Sequence, residues 1–171
     1  MVRRRFLLKI TQERLKEILS YDSDTGFFKW LVSRGRNGNG ARVGQIAGTK
    51  DVTGRITITI EGRHYRAHRL AWLYVYGRLP NGELDHRNGV QSDNRCSNLR
   101  EATKSQNAAN KRVLRAGLKG ACFNRRRDKW MAAIRKDYKQ IHLGYFATEQ
   151  EAHAAYVEAA NKLHGEFVRP R

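Results

Sequence analysis

Between Glu83 and Arg112 the chain reads ELDHRNGVQSDNRCSNLREATKSQNAANKR, with Asp85 directly before His86 and Asn98 and Asn107 at 12 and 21 residues beyond that histidine. On a regular strand Asp85 and His86 would point to opposite faces. Both can serve one site only where the strand stops and the chain turns, and Arg87-Asn88-Gly89 supplies such a turn. Further on, Thr103 and Gln106 have the spacing of a capping box, which starts a helix near Thr103 and sets Asn107 one turn in. The expected module is a strand, a long loop, a short strand over NLREAT and a helix. A carboxylate oxygen of Asp85 and an amide oxygen of Asn107 can then meet over one ion. Such hard donors suit Mg2+ or Mn2+ rather than Zn2+, one ion per site. His86, with an ordinary imidazole pKa of about 6.5, can take a proton from water near neutral pH. This is equipment for phosphodiester hydrolysis: a base activates water while a cation offsets charge on the phosphorane and the leaving 3′ oxygen. By itself, an Asp-His pair beside a turn is more often a turn former next to a surface histidine. The register of Asn98 and Asn107 favours the chemical reading.

The charge points to the same kind of partner. Against 16 Asp+Glu stand 34 Lys+Arg, giving +18 over 171 residues with histidines neutral. Self-repulsion of that size is most simply explained by a polyanion. Residues 1–80 hold 16 basic and 6 acidic side chains, residues 81–112 hold 6 and 4, and residues 113–171 hold 12 and 6. Two basic regions therefore flank a nearly neutral middle that contains the Asp-His pair. No stretch approaches the roughly 18 apolar residues of a membrane span. The opening MVRRRFLLKITQERLKEIL is basic and then apolar like a signal peptide, but Lys9 interrupts the short apolar run, so secretion is not expected. Cys96 and Cys122 match no zinc-ligand spacing and read as free thiols of a reducing compartment.

The elements that must position these groups follow from local signals. TQERLKEIL is a short helix with Thr11 as its N-cap, and Asp24-Thr25-Gly26 turns the chain into an aromatic strand. SRGRNGNGARVGQIAG reads as a flexible basic loop that orders on a phosphate backbone through Arg34, Arg36 and Arg42. RITITIEGRHYRAH is a hairpin closed by Glu61-Gly62, and AHRLAWLYVYG is a buried helix ending at Gly77. His68 reads as packed or DNA-facing rather than as a ligand, and His153 and His164 read as exposed helix residues. Near residues 110–118 a basic, glycine-containing linker separates off three short strands and a helix capped by Thr148 and Glu151 and stopped at Gly165.

With these residues in view, LDHRNG…DNRCSNLREAT…QN resembles the HNH nuclease motif, the strand-strand-helix metal fold of phage and intron homing endonucleases and of colicin nucleases. The preceding RITITIEGRHYRAHRLAWLYVYGRLPNGELDH is similar to the N-terminal part of phage HNH endonucleases. The resemblance implies that Asp85 and Asn107 hold the metal and that His86 is the general base. It also implies that Asn98 braces the loop so that a backbone carbonyl orients the imidazole. Many members carry His at the last position, where this chain has Asn107; homing-type members with Asn there exist.

Residues 119–165 resemble the plant ethylene-response-factor (Apetala-type) DNA-binding domain, on KWMAAIR, IHLGYF and TEQEAHAAYVEAANKLHGEF. Strand alternation agrees independently. Trp130, Ala132 and Ile134, with Ile141 and Leu143, face a helix that presents Ala152, Ala155, Tyr156 and Ala159, while Met131, Ala133, Arg135, Gln140 and His142 form the opposite face. The resemblance implies groove-facing positions at Lys119, Cys122, Asn124, Arg126, Arg135, Gln140 and His142. Several of these are Arg or Trp in the plant domains, so it implies no particular target sequence.

The expected fold class is α+β. A basic N-terminal hairpin and helix region covers 1–80, and a central ββα-metal HNH module covers 81–112. A linker at 113–118 leads to a three-stranded antiparallel sheet packed on one helix in 119–171. The expected function is a metal-dependent DNA endonuclease of the homing type acting on double-stranded DNA in the cytoplasm of a bacterial host. Neither a membrane nor a small-molecule cofactor is expected to take part. One alternative is a sequence-specific DNA-binding regulator whose nuclease core is inactive. Another is an RNA-binding protein, which would need surface aromatics to stack bases, whereas the aromatics here alternate into cores.

Overall fold

Thr11 opens the first helix of the structure, a computed structural model that describes residues 10–34, 40–111, 117–137 and 139–168. Its hydroxyl accepts from the Arg14 amide and so satisfies one of the orphan donors of α1 (Gln12–Ile18). Leu15 and Ile18, three residues apart on one face, go inward. Strand β1 (Leu19–Tyr21) continues directly and pairs antiparallel with β2 (Phe28–Trp30) around the expected turn. Strands β3 (Thr49–Lys50), β4 (Ile56–Ile60) and β5 (Arg63–Arg66) form one antiparallel sheet in that order. Ile60 pairs with Arg63, so Glu61 and Gly62 make a two-residue turn, both at positive φ as a twisted hairpin requires. Helix α2 (Ala67–Tyr76) stops at the left-handed Gly77. Strand β6 (Glu83–His86) pairs with β7 (Leu99–Ala102), which is entered through a 3-10 turn at Cys96–Asn98.

The described residues fall into two compact units that divide between Arg100 and Glu101. In the first, Leu15, Leu19, Phe28, Ile58 and Leu70 are essentially sealed from solvent and join Trp72, Leu84 and Leu99 in one core. This core ties α1, β2, β4 and α2 to the strands that carry the Asp-His pair.

The second unit contains α3 (Lys104–Asn110), with a capping box from Thr103 and Gln106 as its spacing predicts. Then come β8 (Ala121–Asn124), β9 (Lys129–Lys136) and β10 (Lys139–Phe146), antiparallel in the order β10-β9-β8. Helix α4 (Glu149–His164) has the Thr148–Glu151 capping box and ends at Gly165. Ile134 from β9 packs with Tyr156 and Ala160 from α4, and Ala132 and Ala152 are fully buried. Three details depart from simple alternation. Ile141 pairs with the buried Ile134 yet stays 38% exposed. A bulge between His142 and Gly144 shifts the register, so Tyr145 pairs with Met131 and joins the open face, contrary to the reading that the aromatics all turn inward. His164, expected to be exposed, is 6% exposed, because the last turn of α4 brings its ring to the Arg135 backbone. Likewise His153 is half-buried and its Nδ1 lies 2.8 Å from the Lys119 carbonyl.

Gly120 explains how Tyr156 fits. At φ +80 a β-carbon on residue 120 would lie 2.1 Å from the Tyr156 ring. A Gly120→Ala variant therefore meets a backbone cost of about 1–2 kcal/mol and also displaces a core ring. Thermal unfolding is expected to show the second unit melting well below the wild type. Among the described residues, no helix is long and apolar enough to cross a membrane. Arg36 and most of the 113–118 linker lie outside the described residues.

Candidate active site

Strand β6 delivers three consecutive buried residues, Leu84, Asp85 and His86, at the point where the chain leaves the sheet. Alternation sends Asp85 to Arg100 of β7, whose Nε and Nη2 both reach Oδ2 at 2.9 Å. The two side chains are 4% and 7% exposed, so this is a buried, charge-assisted pair.

After His86 the loop folds back on Asn98. The Arg87 amide donates to the Asn98 carbonyl at 2.8 Å and the Gly89 amide to the His86 carbonyl at 2.7 Å. The Asn98 side chain accepts from the Asn88 amide at 3.0 Å and donates from Nδ2 to Asn88 Oδ1 at 3.0 Å and to the Asp93 carbonyl at 2.9 Å. A buried amide thus closes the loop with bonds on both its ends. Asp93 anchors the far side, held down to about 2 chiefly by hydrogen bonding to Arg95, with Nε at 2.8 Å and Nη2 at 2.6 Å.

His86 itself is 8% exposed. Its Nε2 lies 3.5 Å from Asn94 Oδ1, at the outer edge of hydrogen-bonding reach. Burial pushes the imidazole below its ordinary value, while Asn94 and then Asp85 pull it back up. The ring is accordingly neutral at pH 7, the state a general base needs. The His68 ring packs edge-on against it, with centroids 5.2 Å apart at 76°. His68 Nδ1 is buried without a partner, and burial first, then the neighbouring His86, drives that ring down to about 3. Packing, the first of the two roles expected for His68, is what the structure shows.

The His68 shift makes stability depend on pH. Between about 6.5 and 3 the unfolded chain takes up a proton that folded His68 refuses. Its contribution is fully present above about pH 6.5 and is lost progressively as the pH falls towards 3. The melting temperature is expected to drop between pH 7 and pH 5, and to drop less in His68→Gln, which cannot charge.

Asn107 sits half-buried on α3 in the second unit, one turn past the Thr103 cap, with its amide bonded to the Thr103 carbonyl. The structure thus brings Asp85, His86 and Asn98 together in the first unit. Asp85 in the first unit and Asn107 in the second each carry an oxygen donor of the hard kind that a Mg2+ or Mn2+ ion takes. Among the described residues no three His, Cys, Asp or Glu side chains cluster as a metal site.

The charged surfaces divide in two. Arg34 stacks on Trp30, 4.6 Å from the ring centroid, and donates to the Thr59 carbonyl, while Arg42 is exposed. In the second unit the register puts Arg135 beside Gln140 and Ala133 beside His142 on the open face, with Asn124 beside Lys129. Arg127 lies over Tyr145 at 4.7 Å. Two expected contacts are already engaged. The Lys119 ammonium donates to the Ala109 and Lys111 carbonyls, and Asn124 Oδ1 accepts from the Arg126 and Arg127 amides.

Sequence reasoning missed Asn94, Arg100 and the His68 contact. Arg100 had a partial signal, since a cation one residue after Leu99 in a short strand needs an acid if it turns inward. Asn94 had none, because no period or spacing separates it from the other polar residues of its loop.

Residues 65–109 match the family model described as HNH endonuclease. Over 110 residues, 62% of this chain and 90% of the relative's, the sequence is 29% identical to Protein 3.8 of Escherichia phage T7. No solved structure matches the chain. The matched stretch contains α2, β6, β7 and the loop closed by Asn98, so the buried Asp85–His86 strand end lies in the stretch that is similar to HNH endonucleases.

Proposed function

We propose that the protein is a metal-dependent DNA endonuclease of the homing type that hydrolyses phosphodiester bonds at a recognised site. One observation carries this: a buried, neutral His86 stands at the end of β6 beside Asp85, on a loop closed by Asn98, inside the stretch that matches HNH endonucleases. In this reading His86 takes the proton of the attacking water. Asn98 keeps the loop from moving the ring. Asp85 and Asn107 hold Mg2+ or Mn2+, which supplies charge stabilisation to the phosphorane and the leaving oxygen. Arg100 holds the Asp85 carboxylate in place.

Double-stranded DNA is the proposed substrate. Arg34, Arg36 and Arg42 are the proposed backbone contacts of the first unit, and the +18 charge makes binding strongly dependent on salt. The open face of the C-terminal sheet is proposed to enter a groove as in the Apetala-type domains. Arg126, Arg135, Gln140 and His142 are nearest the DNA, and Lys119 and Asn124 shape the ends of that face. One active site per chain makes a nick the product of a single visit. The test is supercoiled plasmid incubated with Mg2+ or Mn2+ against EDTA: metal-dependent nicked circles are expected. Retention of DNA with no cutting in either metal, on several target DNAs, would leave a DNA-binding protein.

A further inference from the structure

We propose that Asn94 is the positioning residue of His86, and that the β1–β2 hairpin holds Asn94 in place. This rests on the reading of His86 as the general base. Asn94 is 1% exposed, so its amide must find partners inside the protein. Nδ2 donates to the Ser92 carbonyl at 3.3 Å, which fixes the end of the amide that faces the histidine as Oδ1. An amide oxygen only accepts. The neighbouring His86 Nε2 therefore carries the proton, and Nδ1 keeps the lone pair that takes a proton from water.

The hairpin grips Asn94 from two directions. The Tyr21 hydroxyl donates to the Asn94 carbonyl at 2.9 Å and accepts from the Cys96 amide at 3.0 Å. One phenol oxygen thus spans the residues on either side of Arg95. Burial raises the Tyr21 phenol, so it remains a donor. Its ring is itself fixed by Phe28 at 4.9 Å and Tyr74 at 5.6 Å. At Gly26 the turn presses on the same peptide: a β-carbon there would lie 2.5 Å from the Arg95 nitrogen and 2.7 Å from the Asn94 carbonyl carbon. Tyr21 and Gly26 both precede the matched stretch 65–109, so the base of that domain is positioned by a segment outside it.

The experiment uses full-length, 15N-labelled, metal-free protein. Long-range proton–nitrogen spectra report which His86 nitrogen is protonated, with His86→Ala assigning the signal. Plasmid nicking by the same variants gives kcat and KM separately. Wild type is expected to show the Nε2–H form. Asn94→Leu is expected to lose that preference and to lower kcat about 10- to 100-fold with KM little changed. Asn94→Asp keeps an acceptor oxygen and is expected to restore the Nε2–H form. Tyr21→Phe removes only the hydroxyl, so it carries the test if Asn94→Leu does not fold; a weakened Nε2–H preference and an intermediate kcat are expected. A wild-type Nδ1–H form, or folded Asn94→Leu and Tyr21→Phe proteins with unchanged tautomer and kcat, would overturn the proposal. Wild-type protein that fails to cut would instead remove the nuclease reading, while the tautomer still decides the role of Asn94.

Discussion

Replacing Arg100 with methionine is expected to destabilise the first unit by about 3–5 kcal/mol, a large fraction of the 5–15 kcal/mol typical of a folded domain. The magnitude follows from burial. Asp85 and Arg100 are 4% and 7% exposed at the side chain, and both guanidinium contacts land on one carboxylate oxygen. Methionine fills much of the arginine volume but takes the guanidinium away from a carboxyl in a site that water hardly reaches. Removing both charges, as in Asp85→Leu with Arg100→Met, is expected to recover most of the loss, because the desolvation cost disappears along with the attraction. Chemical denaturation of the two single variants and the double variant gives the coupling directly. A single variant as stable as the wild type would mean that Arg100 does not compensate Asp85.

His86→Ala is expected to act on the other axis. It leaves the buried pair and the Asn98-closed loop in place and removes the base. A general base typically contributes about 10²- to 10⁴-fold to a rate, so nicking is expected to fall by that factor. Affinity for DNA should stay within a few-fold, since the proposed phosphate contacts lie elsewhere. The structural cost falls mainly on His68, whose ring loses its edge-on neighbour. A rate loss accompanied by equal loss of binding would point to a phosphate-gripping histidine instead.

How much of this was legible in the sequence depends on how local the signals were. The Thr11, Thr103 and Thr148 caps, the Glu61-Gly62 turn and the Gly77 stop each depend on a few neighbouring residues, and all appear where their spacing put them. The Asp85–His86 strand end was legible for the same reason, because the turn after His86 confines it, whereas the loop-closing role of Asn98 came from the resemblance to HNH nucleases. Long-range contacts were not. Tyr21 reaches Asn94 across 73 positions, and nothing in YDSDTG marks the phenol as a partner of a distant loop. The pairing of Arg100 with Asp85 depends on the β6–β7 sheet, which alternation alone does not register. On β10 the period of two failed at a bulge, where Gly144 at φ +140 lets the strand skip a residue and swing Tyr145 to the open face. His164 was misread because helix periodicity says nothing of what the last turn meets.

The most direct test of the account is a time course of supercoiled plasmid with wild-type and His86→Ala protein side by side, at equal DNA occupancy, in Mg2+ or Mn2+. The account predicts nicked circles accumulating with wild type only while metal is present, and at least about 100-fold slower with the variant. Equal cutting by the two proteins would contradict it, since the hydrolysis would then not depend on the imidazole at the end of β6.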